Sequence, residues 1–250
     1  ASEITRIRGA CSLGSGTRKW ASKKHSTVES AHTMQRAHAE VHPPMAPENP
    51  YDIASYPLLV VVSGPSGVGK DTLLQRLKDL GSDFWFVVTM TSRAQRPGEV
   101  DGKDYFFVTR DEFDDLIEAD ELLEHSLVYG EYKGIPKEQV RKALSTGKNV
   151  VMRIDVQGAE KIKRIVPDAV TIFLMPESEE ELIRRLTERK TETPEGLQRR
   201  ISTAREEMSR IQEFDFVVVN RAYQMNDAAA DIDGIMRAER CRVGRQPIRI

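Results

Sequence analysis

The ten residues from Ser63 to Thr72, SGPSGVGKDT, decide how this chain is read. Gly64, Gly69 and Lys70 satisfy the pattern G-x-x-x-x-G-K-[ST], a loop whose backbone N–H groups cradle phosphates while its lysine reaches the β and γ phosphates. The position after the lysine calls for a hydroxyl that holds magnesium, and here it is Asp71. The flanks support a phosphate loop. Leu58 to Val62, LLVVV, is a short, wholly apolar run that reads as a buried parallel strand. From Asp71 to Leu80, leucines at 73, 74, 77 and 80 keep helical spacing. Strand, glycine loop and helix together are the context such a loop needs.

Further apolar runs repeat the strand type at Val150–Ile154, Ala169–Leu174 and Phe216–Val219, each followed by a helical pattern. The economical fold is α/β: a P-loop, three-layer α/β/α core with a parallel sheet. Between Phe84 and Tyr132 the texture changes to short aromatic or branched runs, FWFVVTM, DYFFV and LLEHSLVYG. These read as a small mixed sheet inserted after the first strand–helix unit. A second insert, from Pro176 to Met208, reads as two charged helices with Pro194 opening the second, and suits a mobile lid. The domain reading is therefore a core of 56–83, 133–175 and 209–250, an insert of 84–132 and a lid of 176–208.

Residues 1–52 are different. They hold ten Ser/Thr and four of the five histidines, and residues 1–50 carry 7 Lys/Arg against 4 Asp/Glu. Basic, hydroxyl-rich and acid-poor, this stretch reads as an organellar targeting extension, with an ordinary disordered tail as the alternative. The remaining 200 residues carry 30 Lys/Arg and 35 Asp/Glu, so a basic nucleic-acid-binding surface is not expected. No apolar run approaches the ~18–20 residues of a membrane span. Two cysteines, Cys11 and Cys241, give neither a disulfide framework nor metal spacing.

On the acceptor side, Arg93 and Arg96 stand three apart in TSRAQRPGEVDGKDYFF, and two guanidiniums there form a clamp for an anion. Tyr105 adds a hydroxyl donor. Glu124, ending an apolar run in LLEHS, is a carboxylate that needs a donor partner, such as the N1–H and amino edge of guanine.

GPSGVGK, TSRAQRPGEVDGKDYFFV, YGEYKGIP and IDVQGA, in that order, resemble guanylate kinases from about Leu58 onward. The resemblance implies an ATP-dependent enzyme that phosphorylates GMP to GDP with Mg²⁺. It makes the first insert GMP-binding. Gly64, Pro65, Ser66, Gly67, Val68, Gly69, Lys70, Asp71 and Thr72 then bind ATP, and Asn220 contacts adenine. Arg93, Arg96 and Tyr105 fall where the family binds the GMP phosphate. Thr89 and Glu124 fall where it reads guanine, and Asp155 near the base and acceptor. Arg185, Arg189 and Arg200 fall where it supplies arginines to the transferring phosphoryl, beside Lys70. The implied partners are the small molecules GMP and ATP, and a monomer is expected. The rival reading is a catalytically inactive guanylate kinase-like binding module.

Three positions depart from the family pattern: Asp71 for the hydroxyl, Arg153 for an acid, and Lys133 with Ile135 for a Tyr and a small hydroxyl residue. Lys133 can serve as a phosphate donor. The first two departures exchange charge, which predicts that Asp71 and Arg153 pair, or that Asp71 itself supplies an oxygen to magnesium. The set resembles plant organellar guanylate kinases, in keeping with a plastid or mitochondrial location.

Overall fold

Strand β1 (Leu59–Ser63) is buried along its whole length, and its alternation divides the core in two. A computed structural model describes residues 55–128, 130–188 and 193–250. The N-terminal extension and Arg189 lie outside the described residues.

Side chains alternate across a strand. Val60 and Val62 face one layer, against Leu73, Leu74 and Leu77 of helix α1 (Lys70–Asp79) and Ala228, Ile232 and Met236 of helix α7 (Met225–Arg240). Leu59 and Val61 face the other, against Val140 and Ala143 of α3 (Lys137–Ser145) and Ala159 and Ile162 of α4 (Val156–Ile165). The all-parallel sheet between them has the order β2-β7-β1-β8-β9, with β2 at Phe84–Val87, β7 at Asn149–Arg153, β8 at Val170–Pro176 and β9 at Phe216–Asn220. The expected three-layer α/β/α core is present.

One strand changes place. Phe84–Val87 was expected in the inserted sheet and instead pairs with β7 at the edge of the core sheet. The reason is two-sided burial: Phe84 and Phe86 pack on one core layer, Trp85 and Val87 on the other. The inserted sheet has the order β4-β3-β6-β5, from β3 (Met90–Thr91), β4 (Phe106–Phe107), β5 (Leu122–Val128) and β6 (Glu131–Pro136). It is mixed, as expected, with β3 parallel to β4 and antiparallel to β6. Strand β6 carries it past residue 132. Helix α2 (Arg110–Glu118), opened by a Thr109–Glu112 capping box, covers one face through Phe113 and Leu116.

The second insert forms α5 (Glu179–Glu188) and α6 (Pro194–Ser209), with Thr193 capping α6 and Pro194 at its first position. Its apolar seam is small: Leu182, Leu186 and Ala204 are its buried members. A single 3₁₀ turn, Ile211–Glu213, leads into β9.

Candidate active site

The glycine loop leaves the C-terminal end of β1, where ligands bind in open parallel sheets. Gly64 has φ +131°, and a Cβ there would stand 2.1 Å from the Leu174 carbonyl oxygen, so the turn admits only glycine. Val68 turns its side chain into the core and its carbonyl outward, where Asn220 Nδ2 (2.8 Å) and Arg185 Nη1 (3.1 Å) donate to it. Lys70 Nζ folds back onto the loop carbonyls of Gly64 (2.5 Å) and Pro65 (3.1 Å). Burial lowers its pKa to about 8.

A cavity of about 570 Å³ opens in front of the loop and brings together most of the expected residues. Ser66, Gly67, Gly69, Lys70, Asp71 and Thr72 line one side. Thr89, Arg93, Arg96, Tyr105, Glu124, Lys133 and Asp155 line the other, and Arg200 of α6 reaches in. A second cavity of about 650 Å³ shares Gly67, Gly69 and Thr72 with it and continues to Arg185, Asn220 and Tyr223. Ile135 does not reach the site. It is fully buried in the core layer of Leu59 and Val61. A regular pleat would put it on the same face as Lys133, two residues before it, but the pairing of β6 with β5 shifts register between Leu122 and Glu124, opposite this stretch.

Several side chains are already engaged. Arg93 makes a forked pair with Glu99 through Nη1 (2.8 Å) and Nη2 (2.6 Å), and its guanidinium lies 4.7 Å from the Tyr105 ring centroid. Glu99 also accepts the Arg96 backbone N–H at 2.8 Å. Asp155 caps α4, taking the Gly158 N–H at 3.0 Å, and accepts from Ser126 Oγ at 2.9 Å. Thr89 Oγ1 donates to the Arg153 carbonyl at 3.3 Å. The expected Asp71–Arg153 ion pair is present. Burial lowers the Arg153 pKa to about 10, so the guanidinium is charged at neutral pH.

Glu99 and Glu207 were missed by reading residues singly. Glu207 of α6 accepts the Ser66 N–H at 3.3 Å, inside the phosphate loop. The Gly98-Glu99 pair within the arginine segment was a usable signal for the first; nothing local marks the second.

Among the described residues, three buried side-chain polar atoms have no hydrogen-bond partner: Glu124 Oε1, Arg153 Nη2 and Asn220 Oδ1. All three belong to residues lining the two cavities. Buried polar groups are rarely left unpaired, and such atoms clustered at a cleft mark a place where a ligand completes them. Glu124 Oε1 has Lys161 Nζ at 3.7 Å, too far for a hydrogen bond. Burial, reinforced by the Asp155 charge, pushes the Glu124 carboxyl up to about 7.

The family model described as guanylate kinase matches residues 56–239. The chain belongs to the guanylate kinase family. Guanylate kinase 2, chloroplastic/mitochondrial, of Oryza sativa subsp. japonica is 51% identical over 195 residues, covering 78% of this chain and 68% of that protein. A guanylate kinase of Clostridium perfringens (strain SM101) is 45% identical over 188 residues, covering 75% and 86%. The crystal structure of guanylate kinase from Anaplasma phagocytophilum superposes with a TM-score of 0.64 at 34% identity, over 77% of this chain and 90% of that one. A guanylate kinase is a nucleoside monophosphate kinase, a transferase that moves a phosphoryl group from ATP to GMP.

Proposed function

We propose that the two joined cavities are the donor and acceptor halves of a guanylate kinase site, and that the residues lining them carry the reaction ATP + GMP → ADP + GDP. The observation that carries this reading is the set of three unpaired buried atoms. Glu124 Oε1 suits the N–H edge of guanine, and Asn220 Oδ1 suits the amino group of adenine. Arg93, Arg96, Tyr105 and Lys133 surround the GMP phosphate. The loop from Gly64 to Thr72 holds the ATP phosphates, with Lys70 moving from the Gly64 and Pro65 carbonyls to the phosphate oxygens.

The GMP phosphate is itself anionic near neutral pH, so one of its oxygens attacks the γ phosphorus without a strong base. Catalysis is then positioning and charge neutralisation. Arg185 and Arg200 approach from the α5–α6 insert, which acts as the lid over 176–208 and excludes water; Arg189, of the same insert, is assigned to the phosphoryl group by the resemblance alone. Among the described residues no three His, Cys, Asp or Glu side chains form a metal cage. Asp71, an exposed carboxylate beside the phosphate loop in this cavity, is a hard oxygen donor that would suit magnesium once released from Arg153. When bound, that ion neutralises phosphate charge.

The inserted sheet is the GMP-binding part. No described helix is long and apolar enough to cross a membrane. The composition of residues 1–52, with the name of the rice relative, supports delivery to plastid or mitochondrion, and a monomer is the working form. A coupled assay with GMP, dGMP, AMP and UMP, with and without Mg²⁺, tests the whole. Turnover of GMP in strong preference to AMP and UMP is expected. Binding of GMP with no turnover of any of them would replace this reading with a binding module.

A further inference from the structure

Arg153 is left without a role by the family resemblance, since an acid is common at its position. Its surroundings assign one. Strand β7 runs beside β1 with Val62 opposite Arg153, so the side chain emerges next to the phosphate loop. It faces the first cavity, between its phosphate-loop side and its acceptor side. On the donor side it pairs with Asp71, the residue after Lys70. On the acceptor side its guanidinium stands 5.0 Å from the centroid of Tyr105, the same ring that carries Arg93 at 4.7 Å. The side chain is 13% exposed, and its Nη2 is buried without a hydrogen-bond partner among the described residues. A guanidinium offers five donors in a rigid fork matched to phosphate oxygens. Here one prong has no acceptor, although the side chain lines the cavity where two phosphate groups must meet.

We propose that Arg153 is a catalytic residue of this chain, exchanging its contact with Asp71 for the phosphoryl group in transfer. This rests on the reading given under Proposed function. As the GMP oxygen bonds to the γ phosphorus, the bond from that phosphorus to the β–γ bridging oxygen breaks, and ADP leaves with the electron pair. Negative charge spreads over the equatorial oxygens in between. Arg153 lies between the loop lysine and the acceptor clamp, where its charge acts on those oxygens more than on either nucleotide alone. An ion pair that merely neutralises two charges would leave the chemistry unchanged when both are removed.

The test uses the full chain and the variants R153M, R153K, D71N and D71N/R153M. Turnover is measured against GMP and ATP. Calorimetry in EDTA measures the affinity for adenosine and guanosine joined by a five-phosphate chain, which spans both halves without metal. We expect R153M to lower kcat about 100-fold, the scale for losing one donor to transition-state charge, with each KM within about threefold. We expect R153M to weaken the linked dinucleotide far more than it weakens GMP or ATP measured singly, and R153K to recover about tenfold of the lost kcat. If R153M does not fold, D71N/R153M is compared with D71N, which leaves no orphaned carboxylate; the same 100-fold gap is expected. A kcat within threefold of the parent, with unchanged affinity for the linked dinucleotide, overturns the assignment. Parent protein that turns over no nucleotide defeats the guanylate kinase reading itself, a separate result.

Discussion

Replacing Glu124 with Gln tests the guanine side, because the structure sets both the sign and the size of the effect. The carboxyl is buried, 4% exposed, and held near pKa about 7 against an ordinary value of 4.5. Burial and the Asp155 charge raise it, and Lys161 at 3.7 Å opposes them without prevailing. A raised acid binds more protons folded than unfolded between those two values, so stability falls as pH rises through that window. Above pH 7 the full cost, roughly 3 kcal/mol at 1.36 kcal/mol per pH unit, is carried by the folded ligand-free protein. Glu124→Gln removes the charge and keeps the shape. The variant should match the parent near pH 4.5 and exceed it increasingly toward pH 8, where urea denaturation shows the difference. GMP reverses the sign, since its N–H donors need an ionised acceptor. The variant's amide presents N–H groups to N–H groups, and leaving such donors unpaired costs about 1–3 kcal/mol. Its affinity for GMP should drop roughly ten- to a hundredfold at pH 8, with ATP affinity unchanged. A variant less stable than the parent at pH 8, or one that binds GMP equally well, would refute the reasoning.

Lys70→Ala should lower kcat at least about a hundredfold. It should not lower the melting temperature at pH 7, because a buried lysine with pKa near 8 costs stability while charged, and that cost fades only as pH rises from about 8 to 10.5. Gly158→Ala places a Cβ 3.0 Å from the Glu124 carboxyl carbon and should raise the KM for GMP while sparing that for ATP; equal effects on both would dissociate Gly158 from the guanine side. Asn149→Ala strips the buried Leu58 N–H of its acceptor at 3.2 Å and should cost about 1–3 kcal/mol in chemical denaturation, with activity retained in what remains folded.

The fold was legible wherever burial is two-sided or a turn needs glycine. The apolar runs of β1, β7, β8 and β9 announced a parallel sheet, and Pro194 announced the start of α6. The aromatic run of β2 misled because its nearest neighbours in sequence belong to the inserted sheet, while its two apolar faces belong to the core. At the site, motif residues such as Lys70 and Arg96 were readable from their spacing, and opposite charge at two unusual positions was enough to foresee the Asp71–Arg153 pair. The contact of Glu207 with Ser66 joins residues 141 apart and follows from where α6 packs, which no local pattern encodes. Ile135, noted in the sequence only as a departure that cannot replace a hydroxyl, is buried in the core.

That Glu207 contact bears on any measured nucleotide affinity. A carboxylate resting on a backbone N–H of the phosphate loop, attracted by Lys70, takes ground that a phosphate oxygen would claim. If the loop holds the ATP phosphates as proposed, an arriving phosphate oxygen and Glu207 compete for this donor. On that reading, a dissociation constant for ATP would be a net quantity: gross phosphate affinity less the work of expelling the protein's own carboxylate. Because Glu207 and Arg200 stand seven residues apart on α6, two helical turns along one face, the helix that surrenders the first also carries the second. On that reading, nucleotide occupancy and the position of that arginine would be one equilibrium, read from either end.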